Sequence, residues 1–460
     1  MTQTRVCTAV LGIALLFGWA LPVQAFHTWK KETLPNGMTL LVVEKTEVPA
    51  VSVTLLVKHG TMSDPVDKRG LASLTARLLT EGTRQWSRAE ISERIAAIGG
   101  VFRTDVGFDD TTIDWAILKH DLTPALEVLA EVVQRPVFPR AVVERERKAV
   151  HGERDITVEN SPETFELRAL FGDGFSGVPP SGDASPVARI EQRDIVQFHR
   201  RAYHPADVIL AAAGDVTFAE FKTLATKYFG SWSTRRAQEN TPAALSGKTT
   251  PAALVVDRPL AQASLRLAFV GTSATDPATP ALELLTHVLA NGPESRLGHA
   301  LREQRGWTYT VRSKLDSFRQ AGVFVISMSV PYEFVLPTLE QSARELVCLT
   351  TTPVTAAELA RAKQQATARF YFAMENLPEL SHFVARYDAL HAEQEPPERL
   401  LTALDRVTTA DIQQAAQRYV QPQKTVLTVV GDRSTLKKVA PQLVAGKIPH
   451  WALQCAGERQ

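Results

Sequence analysis

Metal or general-base chemistry would be sought first at the histidines, of which this 460-residue chain has 11. A zinc-binding helix carries two imidazoles four positions apart with a glutamate between them, because residues at i and i+4 share a helix face. His59, His120, His199, His204, His287 and His299 occur in neither order of that motif, and His199 and His204, five apart, fall off a shared face. They are expected to be scattered surface or partly buried histidines, not ligands. Cys348 has no histidine close in sequence, and neither Cys348 nor Cys455 sits in a recognisable turn, so a thiol nucleophile is not expected. Ser73 lies inside a helical pattern, GLASLTARLLTEGT from Gly70 to Thr83, not on the strand-to-helix elbow that exposes a serine nucleophile. Spacing alone yields no self-contained catalytic cluster.

The elements that would position any site come from the rest of the chain. An apolar fraction of 44% with 22% charged residues suits a globular protein with two or more cores. The formal net charge of +1, without a long run of like charge, supplies no basic footprint for nucleic acid. Arg5 is followed by an apolar run from Val6 to Leu21 and then by Val23-Gln24-Ala25, small residues at the positions a signal peptidase inspects. Cleavage is expected after Ala25, giving a periplasmic or otherwise exported protein with no membrane attachment, since no later stretch approaches a membrane span. Cys7 would leave with that segment. Cys348 and Cys455 would remain, free to pair or not.

One string of elements occurs twice, at an offset of roughly 210 to 217 positions, far longer than solenoid periods. Val51 to Gly60 alternates like a strand, Asp64-Pro65 turns, and Gly70 to Thr83 has helical spacing; Ala263 to Gly271, Asp276-Pro277 and Thr279 to Gly292 repeat that order. Each half closes alike, through Tyr203 to Val208–Gly214-Asp215 and through Tyr419 to Val426–Gly431-Asp432. The boundaries that follow are a signal peptide at 1–25, a first domain at 26–232, a polar linker at 233–250, a second domain at 251–448 and a tail at 449–460. Runs of strands with paired amphipathic helices predict an α+β fold: two homologous domains, each a largely antiparallel sheet covered by helices on one face, facing each other as a clam shell.

Leu34-Pro35-Asn36-Gly37-Met38, the Gly70 helix ending Glu81-Gly82-Thr83, the Ile98-Gly99-Gly100 turn and the stretch from Ser295-Arg296-Leu297 to Tyr309 resemble, in order, the landmarks of the pitrilysin/insulinase family of zinc peptidases. That resemblance implies paired domains enclosing a chamber for unfolded peptides. Active members carry H-x-x-E-H on the first-domain helix, two zinc ligands and a general base. The corresponding places here read Ser73, Ala76 and Arg77, a degenerate motif, while the family's remaining carboxylate ligand falls on Glu153. One carboxylate does not replace three protein ligands, so no zinc or other cofactor is expected in this chain. Arg77 in place of a ligand is expected either to pair with Glu153 across two helices or to reach water separately from it.

By the same resemblance, Arg302 and Tyr309 match the pair with which catalytic relatives contact substrate and developing oxyanion. Gly99, Gly100, Arg103 and Thr104 match the edge strand on which an extended peptide pairs through main-chain bonds, although active relatives commonly have Asn-Ala where this chain has Arg103-Thr104. In the bacterial two-subunit relatives one subunit carries the zinc helix and the other the Arg/Tyr pair. The expectation is therefore a zinc-free, non-catalytic subunit that acts in trans with a zinc-bearing paralogous partner on unfolded peptides. The alternatives are a peptide-binding or structural scaffold with no part in hydrolysis, and an independent hydrolase whose site spacing does not reveal.

Overall fold

Alternating apolar stretches build two sheets of matching order in the computed structural model, which describes residues 29–154, 162–172, 187–233, 251–391 and 398–448. The signal segment 1–25, linker positions 234–250, the tail 449–460, Cys7 and Cys455 lie outside the described residues. The first sheet contains β1 (Lys30–Thr33), β2 (Thr39–Glu44), β3 (Ala50–Val57), β4 (Val101–Val106), β5 (Thr111–Leu118) and β6 (Val208–Gly214), in the spatial order β1-β2-β6-β3-β5-β4. The second contains β7 (Ala252–Asp257), β8 (Ala263–Gly271), β9 (Val311–Ser317), β10 (Gly322–Val330) and β11 (Val426–Gly431), in the order β7-β11-β8-β10-β9. Omitting β1, the two orders superpose strand for strand. Both sheets are antiparallel except for one parallel pairing each, β2 with β6 and β7 with β11.

The helices of the first half are α1 (Leu71–Leu78), α2 (Arg88–Ile98), α3 (Leu122–Gln134), α4 (Arg140–Arg154), α5 (Pro162–Phe171), α6 (Gln192–Ala202) and α7 (Phe218–Phe229). The second half adds α8 (Thr279–Ala290), α9 (Val335–Thr351), α10 (Ala356–Glu375), α11 (Leu377–His391), α12 (Glu398–Arg406) and α13 (Thr409–Tyr419). Val51, Val53, Leu55 and Val57 of β3, with Trp115 and Ile117 of β5, bury one face of the first sheet against this helical layer. Leu265, Leu267 and Phe269 of β8, with Phe324 and Ile326 of β10, do the same in the second half. The α+β architecture read from the sequence, helices on a largely antiparallel sheet in each half, is the one observed.

The opposite face of each sheet is covered as well, by one helix from the other half. Ser52 and Thr54 alternate with the valines of β3 as solvent-facing residues would, yet they are 1% and 0% exposed. Helix α11 lies over them, and Ser381 Oγ stands 2.9 Å from both hydroxyls. Leu41, Val43, Leu56 and Ile209 pack there against Leu380 and Val384. Reciprocally, α5 of the first half lies on the second sheet, setting Leu167, Leu170 and Phe171 against Ala268 and Val426. Arg266 of β8 donates two bonds to the Glu166 carboxylate of α5, at 2.7 and 2.9 Å. The exchange leaves the halves interlocked, with further ion pairs Lys31–Asp388, Lys45–Glu375 and Arg386–Asp110 between them.

Candidate functional site

Helix α1 begins at Gly70, whose φ of 93° is the left-handed conformation glycine adopts without strain. The Asp64 carboxylate accepts from the amides of Gly70 at 2.7 Å and Ala72 at 2.9 Å, capping the helix from six positions upstream. Burial pushes this carboxyl up to about 7, against the lowering effect of those amides and of Arg201. The cap fixes where Ser73, Ala76 and Arg77 emerge. Ser73 Oγ is buried without a hydrogen-bond partner, and Ala76 is 3% exposed. The Arg77 guanidinium reaches Glu146 of α4, 3.5 Å away. Glu146 also accepts from Arg145 at 3.1 Å; Arg145 pairs in turn with Glu81, which takes Arg88 at 3.3 Å.

These residues do not fit a zinc ion. A hydroxyl, a methyl and a guanidinium stand where imidazoles and a base would be needed, and the guanidinium brings a positive charge that repels a cation. Among the described residues, no group of three or more His, Cys, Asp or Glu side chains is placed to hold a metal. One partner the structure shows for Arg77 is Glu146. Glu153 follows seven positions later on α4, a spacing that returns to nearly the same helix face; its side chain lies outside the described residues.

Helix α1 packs beside β4, which pairs with β5 alone among the described strands and is therefore an edge. Gly99 and Gly100, with φ of 73° and 72°, turn the chain into it. A Cβ at Gly100 would lie 1.9 Å from the Ala116 carbonyl oxygen, so this position admits only glycine. Trp115 Nε1 donates to the Gly99 carbonyl at 3.0 Å, locking the turn. Arg103 and Thr104 stand cross-strand from Asp114 and Ile113. Phe102 packs edge-on against Trp115 on the helical face, so Arg103, one residue on, points to the opposite face.

In the second half, Arg302 lies in a π-helical turn, Gly298–Glu303, and Tyr309 in the loop before β9. The structure brings the two together: the guanidinium sits 5.1 Å over the ring centroid. Tyr309 is 84% exposed, and the Arg302 side chain, 3.4 Å from Glu303, is 43% exposed. Among the described residues, the charged and ring contacts of the pair are with each other and with Glu303.

Sequence spacing did not reveal what holds this turn. Arg296, 5% exposed, donates two bonds to Glu358 of α10, at 2.8 and 3.1 Å. Glu358 is also the third helical residue, in the first turn, and the partner of Thr355 in a capping box. Burial raises the Glu358 carboxyl, but Arg296 and Thr355 outweigh it and bring it down to about 2. A carboxyl lowered from its ordinary 4.5 contributes stability that is complete above that pH and is lost as the pH falls through about 2. Acid titration followed by circular dichroism is expected to show about 3 kcal/mol of stability lost over that window. Glu358→Gln should flatten that limb, and an unchanged limb would remove the pair from the account.

The family model described as insulinase (peptidase family M16) matches residues 40–177, and the one described as peptidase M16 inactive domain matches residues 189–366. An uncharacterized zinc protease of Mycobacterium tuberculosis is 26% identical over 421 residues, covering 90% of this chain and 96% of the relative. A protease from Helicobacter pylori has a similar fold at a TM-score of 0.78 and 20% identity, covering 88% of this chain and all of that one. A structure described as peptidase M16 inactive domain, from Pseudomonas fluorescens, matches at 0.76 and 22% identity, covering 88% of this chain and 98% of the other.

Proposed function

Because the chain belongs to the insulinase family of peptidases, family M16, we propose that it is the zinc-free subunit of an exported two-subunit peptidase, lending Arg302 and Tyr309 to a zinc-bearing paralogous partner. The observation that carries this reading is an asymmetry between the halves. The first presents Ser73, Ala76 and a paired Arg77, a set unable to ligate a metal, whereas the second presents an adjacent, outward-facing cation and phenol. Exposure of such groups has no role in the core of this chain and suits contact with a second molecule.

The chemistry asked of the pair is charge stabilisation. When a peptide bond is attacked, its carbonyl oxygen becomes an oxyanion, and the Tyr309 O–H and the Arg302 N–H groups can donate to it. The metal that would polarise the same carbonyl belongs to the partner. The first domain of this chain, with its own edge strand, walls the chamber. The exported location, part of the same proposal, is supported by the apolar run Val6–Leu21 and by Cys348, which takes part in a disulfide. Among the described residues no helix is long and apolar enough to cross a membrane.

Two measurements test the proposal. Metal analysis of the purified chain, after dialysis against zinc, is expected to find well below one zinc per chain; tightly held stoichiometric zinc would overturn it. Mixing the chain with an exported relative that carries an intact H-x-x-E-H helix should cut an unfolded peptide faster than that relative alone. No acceleration would favour a scaffold without a part in hydrolysis.

A further inference from the structure

The free edge of β4 exposes a pattern of side chains as well as a backbone. Val101 is 59% exposed, and Arg103 and Asp105 are exposed at alternate positions on the same sheet face, away from the helical layer that holds Phe102 and Val106. Helix α11 covers β3 and β6 and reaches β5, where His382 engages Asp114, the residue cross-strand from Arg103. Asp114 is thus occupied, by His382 at 3.2 Å and by the Thr54 and Thr112 hydroxyls. The side chains of Arg103 and Asp105 make no hydrogen bond or ion pair among the described residues. An apolar residue, a cation and an anion therefore stand in a row along an unpaired strand edge, over about 14 Å at the rise of an extended chain.

We propose that β4 selects the peptides it holds by charge order: a strand added antiparallel to it is favoured when it reads basic-x-acidic-x-apolar from its N-terminus. Antiparallel addition gives the more stable ladder per residue. It sets the first of these residues opposite Asp105, the second opposite Arg103 and the third opposite Val101. Directly opposed unlike charges stabilise a strand pair and like charges destabilise it, so reversing the order turns two favourable pairs into two unfavourable ones. The main chain supplies most of the affinity and is indifferent to sequence; the side-chain row supplies the preference. This rests on the proposed function only in taking peptides as the ligand, and it requires neither the partner subunit nor cleavage.

The test uses the isolated chain and two fluorescently labelled, end-blocked peptides of identical composition, Thr-Lys-Thr-Glu-Thr-Val-Thr and Thr-Glu-Thr-Lys-Thr-Val-Thr. Fluorescence anisotropy at low salt should show the first binding about five-fold or more tightly, with the ratio shrinking as salt is added. The double variant Arg103→Glu/Asp105→Lys, both positions being exposed, should fold normally and prefer the second peptide. Equal affinities on the native protein, a native preference for the second peptide, or a ratio the double variant leaves unchanged would overturn the proposal. So would failure of the first peptide to bind, an outcome that leaves the two-subunit reading to its own mixing assay.

Discussion

In the reconstituted pair of subunits, Arg302→Ala is expected to lower kcat/KM for an unfolded peptide by about 10²- to 10³-fold, the loss that follows removal of one donor to a developing oxyanion. The isolated chain gives no hint of so large an effect. Arg302 is nearly half exposed and leans on an exposed ring, where an ion pair or cation–π contact is worth less than about 1 kcal/mol. Its value would come from closure. Once a partner excludes water, the same charge acts through a lower dielectric on an oxygen that becomes negative only during reaction. The substitution should therefore leave the unfolding midpoint of the isolated chain unchanged while kcat falls. Arg302→Lys keeps the charge and loses the planar fork, so partial activity is expected. Tyr309→Phe removes one neutral donor and should cost less. Rates in the pair that are indifferent to Arg302→Ala would refute the assignment.

Arg266→Ala is expected to destabilise the protein by about 3–5 kcal/mol, the range found when one partner of a buried ion pair is removed. Glu166 is 2% exposed and would be left without its two bonds from Arg266. Burial already raises its carboxyl, with Arg266 drawing it back, and Glu163 adds a second negative charge nearby. Without the guanidinium the carboxyl would rise further. A group raised in the folded state contributes stability that is intact below its unfolded value and lost as the pH climbs through the folded one. The deficit should accordingly be largest at neutral pH and shrink toward pH 4 as Glu166 takes up a proton. Urea unfolding across that range checks both size and sign. Combining Arg266→Met with Glu166→Leu should recover most of the loss, since apolar residues replace such pairs with little penalty. A pH-independent deficit would mean that Arg266 acts through packing alone.

How far the sequence foretold this arrangement differs from residue to residue. The repeat of Val51–Gly60 in Ala263–Gly271 was legible because strand periodicity is local, and the common sheet order follows from it. The cover over Ser52 and Thr54 is not legible in that way: alternation marks a solvent face unless some distant element covers it, and α11 lies more than 320 positions away. Leu167, Leu170 and Phe171 announce that α5 is buried, but helical spacing does not say against what. In the site, the degenerate motif at Ser73, Ala76 and Arg77 could be read directly. The partners could not. Asp64 caps α1 from outside the window in which caps are recognised, Glu146 takes Arg77 from another helix, and Glu358 holds Arg296 across 62 positions.

The exchange of α5 and α11 also fixes an order of events during biosynthesis. A chain that emerges from its N-terminus makes α5 long before β8 and β11, the strands on which it rests. Meanwhile Leu41, Val43, Leu56 and Ile209 form an apolar sheet face with no cover until α11 follows. Neither half can complete its burial alone, so the nascent first half presents sticky surface for the whole time the second is being made. The first half made without the second is therefore expected to aggregate, and supplying the second half in trans is expected to relieve it.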